Sequence, residues 1–104
     1  MSVVLGILAE ERDRLKRLLA KYEEHLAALP PGSVSMRRIG GGSYLYMVRR
    51  EGDRVFSEYM GSAESDKAKS ILELDRQRRV YKQKRREILS DLSELEKALG
   101  KFAA

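Results

Sequence analysis

Cysteine and asparagine are absent from this chain, histidine occurs once and proline twice in 104 residues. The lack of cysteine removes any disulfide framework or thiolate metal site and fits a reducing cytosol, so a cytoplasmic location is expected. With His25 as the one histidine, and no carboxylate cluster or His-Glu pairing, neither a metal-ligand set nor an acid–base pair is on offer. No enzymatic activity, metal or cofactor is expected. A long apolar run is missing too. Residues 3–9 are continuously apolar, but the run is too short to span a bilayer, has no basic cluster before it and leads into Glu10 and Glu11. It reads as the apolar start of a helix, and no membrane partner is expected.

What the chain has in quantity is charge: 36% of its residues are charged against 42% hydrophobic, with a formal net charge of +5. A chain of this length forms one domain, residues 1–104, with a thin core. The placement of the charge matters more than its sum. Residues 3–29 hold five basic and five acidic side chains, whereas residues 76–86 hold seven basic ones and no acid. So dense a block repels itself unless acids of the same molecule or a polyanion neutralise it.

Leu8, Leu15, Tyr22 and Leu29 recur at sevenfold spacing, with Val4, Leu18, Leu19 and Leu26 in adjacent rows, and this predicts an amphipathic helix over 3–29. Pro30 and Pro31 end it. Three short β-prone runs follow within 33–61, at 34–39, 43–50 and 54–60, separated by glycine-bearing loops suited to antiparallel neighbours. In the middle run Tyr44, Tyr46 and Val48 point one way and Leu45, Met47 and Arg49 the other. So small a sheet needs a helix or a second subunit against one face.

From Ser62 the spacing is helical again, predicting a long helix over 63–101 with Ser62 or Ser65 as cap. Ile71, Leu74, Arg78, Tyr81, Arg85, Ile88, Leu92, Leu95, Leu99 and Phe102 step by three and four, a heptad seam. The fold class expected is α+β: two long antiparallel helices, a coiled-coil-like hairpin, connected by a three-stranded antiparallel β-meander. Folding the helices together places Leu26 near Ile71, Leu15 near Tyr81, and Glu11 near Arg85 as a pairing for one of the two arginines in the seam. In that register the chain end overhangs, so Leu92, Leu95, Leu99 and Phe102 are the expected interface of a homodimer.

Candidate nucleic-acid-binding residues fall into two groups. Arg76, Arg79, Lys82 and Arg86 lie in the cationic run, the last three sharing a helix face that suits a phosphate backbone. Arg37, Arg38, Arg49, Arg50 and Arg54 lie on the strands near Tyr44, Tyr46, Phe56 and Tyr59, a combination suited to phosphate contact with base stacking. Tyrosine and arginine are equally typical anchors of protein interfaces. The run Gly40-Gly41-Gly42-Ser43 is no phosphate loop, because it joins two strands and no lysine follows it. The favoured expectation is non-enzymatic nucleic-acid binding, DNA or RNA. The alternatives are a protein-interaction module, adaptor-like or antitoxin-like, using the exposed seam, and a purely structural coiled-coil spacer.

The series Pro31-Gly32-Ser33, Arg37 or Arg38, Gly41-Gly42, Tyr44-Leu45-Tyr46-Met47-Val48, Arg50-Glu51-Gly52, Val55 and Tyr59-Met60-Gly61 resembles a β-meander cassette of small uncharacterised prokaryotic proteins. Its Tyr-x-Tyr, Arg-Glu-Gly and Tyr-x-Gly elements are similar to the start of some transposases and the arm-binding region of some integrases. The resemblance implies a mobile-element or defence context, beside a nucleotidyltransferase-type toxin for example, and nucleic acid as a partner. It does not extend to the flanking helices, and no recombinase catalytic residues follow.

Overall fold

The computed structural model describes residues 2–103, in the order α1 (Val3–Ala28), β1 (Ser33–Ile39), β2 (Gly42–Glu51), β3 (Arg54–Ser62) and α2 (Asp66–Ala103). The protein is therefore α+β, with one antiparallel sheet of strand order β1-β2-β3. Its contacts fall into two compact units. One comprises α1 with α2 from Val80 onward, the other residues 29–79, which hold the sheet and the start of α2.

Local chemistry sets the element boundaries. Both strand connections are two-residue turns, since Ile39 pairs with Gly42 and Glu51 with Arg54. Only the first central residue of each, Gly40 and Gly52, has a positive φ, of 64° and 60°, which glycine adopts without a Cβ penalty. Of the two cap candidates for α2, Ser65 is the one used: its Oγ accepts from the Ala68 N–H at 3.2 Å, and Asp66 places an acid in the first turn. Ser62 instead ends β3, so α2 starts three residues later than the spacing alone suggests.

In the sheet unit, Leu45 is fully buried and lies at the centre of the face that meets α2. Val34, Met47 and Met60 from the strands and Ile71 and Leu74 from α2 line an apolar recess of about 180 Å³ on that face. The pairing shifts between Leu45 and Tyr46, because Leu45 faces Gly61 while Tyr46 faces Tyr59. Met60 is thus the extra residue of a β-bulge, and it joins Gly61 on the inner face. The middle of one sheet face is thereby covered, as a three-stranded sheet requires, while Met36 and Phe56 stay open at its rim.

In the helical unit, Leu15, Ile88 and Leu92 form the buried cluster, with Leu18, Leu19, Tyr22 and Leu95 packed around it. Tyr81 meets Tyr22 and His25, with ring centroids 5.8 and 5.2 Å apart. The expected register is corrected here. Leu15 lies with Ile88 and Leu92 rather than with Tyr81, a slip of one heptad. Such a slip exchanges one set of apolar seam residues for another, so periodicity alone cannot exclude it. Leu92, expected in a dimer interface, is an internal core residue at 8% exposure, Leu95 packs beside it, and Leu99 is half-buried; Phe102 is open, at 61%.

Truncating Leu45 or Leu92 to alanine is expected to cost ~2–5 kcal/mol each in urea unfolding, through lost burial and the cavity left behind. Phe102→Ser should stay within about 0.5 kcal/mol of the parent.

Candidate functional site

Two surfaces bear the residues singled out from the sequence. The first is the sheet face opposite Leu45. Because strand side chains alternate, the observed pairing sorts the meander cleanly. Ser33, Ser35, Arg37, Tyr44, Tyr46, Val48, Arg50, Val55, Ser57, Tyr59 and Ser62 share the open face. Arg38, Arg49 and Arg54 fall on the other, with Glu51 and Glu58. This divides a group that the sequence had placed together: of the five strand arginines, only Arg37 and Arg50 accompany the tyrosines. Arg49 instead lies 5.2 Å over the Phe56 ring and is paired with Glu51.

The open face is held by ring contacts. Tyr59 touches both Tyr44 and Tyr46, with centroids 6.2 and 5.5 Å apart. The Arg37 guanidinium covers the Tyr46 ring at 4.4 Å and donates to Ser57 Oγ at 3.4 Å. The Tyr44 ring folds back over Gly42, where an added Cβ would stand only 2.9 Å from the hydroxyl oxygen. Gly42 is therefore the seat of that ring and not merely part of a turn. Tyr44 and Tyr46 are half-buried, while Tyr59 is 55% exposed. No carboxylate lies on this face. The serines and the sorting of charges went unrecognised in the sequence, although the period of two in the strands carries that information.

The second surface is the cationic run of α2, whose members have different partners. Arg79 donates twice to Asp75, a carboxylate at 8% exposure beside the apolar recess, while its own side chain stays exposed. Arg76 pairs with Glu73 at 3.3 Å and Lys84 with Glu87 at 3.7 Å. Arg86 meets only the Gln83 amide, at 3.4 Å. Lys82 and Arg85 have no ion-pair or hydrogen-bond partner among the described residues. Carboxylates thus match some of these cations, but not one for one. The exposed i,i+3 pairs of Arg76 and Lys84 contribute little to stability and exchange readily with other anions.

Arg78 has a structural role. Its guanidinium donates to the carbonyl oxygens of Pro30 and Gly32, anchoring the turn that leads into β1. The seam arginine is thus compensated by backbone carbonyls of the connection between α1 and β1, and not by an acid. The expected Glu11 to Arg85 pairing is replaced as well. Glu11 accepts from Arg14, one turn along α1, at 2.9 and 2.5 Å, a bidentate contact that costs less chain ordering than a distant one. That hydrogen bond holds the Glu11 carboxyl below its ordinary range. Its small stabilising effect is present above the unfolded carboxylate value and lost as pH falls through the folded one.

Among the described residues no group of three or more His, Asp or Glu is gathered as a metal site, and no helix is long and apolar enough to cross a membrane. The family described as Domain of unknown function (DUF6788) matches residues 8–70, more than half of the chain. No curated protein and no solved structure matches it.

Replacing Arg78 by methionine should lower stability by ~1–3 kcal/mol in thermal or urea unfolding, since two carbonyl oxygens lose a charged donor. Arg76→Met, which loses only an exposed ion pair, should change it by less than about 1 kcal/mol.

Proposed function

We propose that this chain, which belongs to the DUF6788 family, is a non-enzymatic nucleic-acid-binding protein that holds the phosphate backbone with guanidinium, ammonium and hydroxyl groups. The observation that carries this reading is the sorting of charge on the meander. Its open face presents two arginines, four serines and three tyrosines, and every carboxylate of the strands lies elsewhere. A face built for a mixed-charge protein partner gains from both signs; one that excludes acids suits a polyanion.

The cationic run supplies the second support. Lys82, Arg85 and Arg86 have no carboxylate partner among the described residues, and Arg76 and Lys84 are held by exposed pairs that phosphates can replace. A relation of the strand cassette to proteins of mobile elements and a coiled-coil-like pairing of the helices belong to the same proposal. The chain's cytoplasmic location is part of the same proposal.

A second reading, association with another protein or a second copy, is favoured by one observation. Phe102, Val3, Val4 and Ile7 in the helical unit are large, apolar and more than half exposed. Leu92 plays no part in it, being internal.

Retention of a labelled nucleic acid should fall steeply with salt, with a log–log slope of about −0.9 per phosphate neutralised on duplex DNA and about −0.7 on a single strand. The double variant Lys82→Glu/Arg86→Glu should weaken binding and flatten the slope by about 2, with unfolding unchanged. Absence of retention of any nucleic acid at low salt ends the proposal. Under the second reading, Phe102→Ser would instead lower the association state in sedimentation without touching nucleic-acid retention.

A further inference from the structure

We infer that the ligand of the open sheet face is a single-stranded segment, whose bases stack on Tyr59 and Tyr44, and not a duplex held by charge. This inference rests on the nucleic-acid reading above and narrows it to one strand state and one surface. The rings decide it. A duplex hides its base faces in its own stack, so an aromatic platform gains nothing from it, whereas an unpaired base offers a π-face to any ring it can reach. Here three tyrosines lie side by side on a single sheet face, and Tyr59 stays open after contacting the other two.

The three rings are not equivalent. Arg37 already covers Tyr46, which leaves Tyr46 as the support for Tyr59 and for the guanidinium. Tyr59, exposed, and Tyr44, half-buried beside Gly42, are the two rings that no guanidinium covers. Their planes are tilted by 44° at 6.2 Å, so they do not stack on one another and each can accept a separate, splayed base. The ring contacts also hold Tyr59 in place on an edge strand, which reduces the ordering that binding would otherwise require.

The charges point the same way. Only Arg37 and Arg50 stand on this face, too few to hold a duplex by counterion release alone, yet suited to the phosphates that flank two stacked nucleotides. Ser33, Ser35 and Ser57 add hydroxyls that donate to phosphate or sugar oxygens. Arg37 can stay over Tyr46 while it meets a phosphate, because its stacked plane leaves the guanidinium edge free.

The test uses the full chain with a fluorescein-labelled oligothymidine of about 12 nucleotides and the duplex that it forms with oligoadenosine. Fluorescence anisotropy at moderate salt should show the single strand bound at least about tenfold more tightly than the duplex. Tyr59→Ala should weaken the single strand about tenfold, the loss of one stacked base, and leave the duplex unchanged, while Tyr59→Phe should retain single-strand affinity. Because Tyr59 is exposed, these variants should keep the parent's circular dichroism and unfolding midpoint. Gly42→Ala supplies a second variant that displaces the Tyr44 ring and should also weaken the single strand selectively. Equal or tighter duplex binding, or single-strand affinity indifferent to Tyr59→Ala and Gly42→Ala, overturns this inference and leaves the nucleic-acid reading standing. Failure to bind either probe at low salt overturns both.

Discussion

The burial of Leu45 is the constraint from which the rest of the meander follows. A strand alternates its side chains, so once Leu45 turns inward, Tyr44 and Tyr46 must turn outward, and the pairing carries that choice to both neighbours. A slip of one residue would bury the tyrosines and Arg37 against α2 and send Leu45 into solvent. The bulge at Met60 adds a second inward residue next to Gly61 and closes the sheet over α2 without disturbing the outward set. The exposed tyrosine platform is thus a consequence of core packing, and no separate energy is needed to hold it open.

Charge is handled by several different means in this chain, and the differences separate architecture from binding capacity. Arg78 satisfies backbone carbonyls in the turn after the prolines. Arg79 neutralises Asp75, a buried acid that would otherwise be costly. Arg37 lies on an aromatic ring, and Arg14 holds Glu11. Among the described residues Lys82 and Arg86, like Arg50 on the sheet, are exposed and have no carboxylate partner, so they belong to the basic surplus that faces outward. The surplus of +5 is therefore better located by asking what each cation already touches than by counting cations in a window.

Much of this was legible in the sequence, for identifiable reasons. The order of elements followed from Pro30-Pro31, the glycine turns and the change of period from 3.6 to 2 and back, each a local signal with a local cause. The two faces of β2 were legible for the same reason. The start of α2 was not, because Ser62 and Ser65 are both competent caps and the choice depends on where β3 stops pairing. Nor was the register of Leu15, since a heptad seam looks the same after a slip of seven. The partners of Arg78 and Glu11 were hidden by a different cause: the nearest compensating group is a backbone carbonyl in one case and a residue one turn away in the other, and neither leaves a long-range charge pattern in the sequence.

Hydroxyl-radical footprinting of the protein, alone and with oligothymidine, tests most directly whether the outward set is the binding surface. Without the oligonucleotide, Tyr59 should be oxidised readily and Leu45 scarcely at all; with it, Tyr59 and Tyr44 should become protected while Phe102 keeps its reactivity. Ready oxidation of Leu45, or protection confined to α2 with Tyr59 unaffected, would contradict the account.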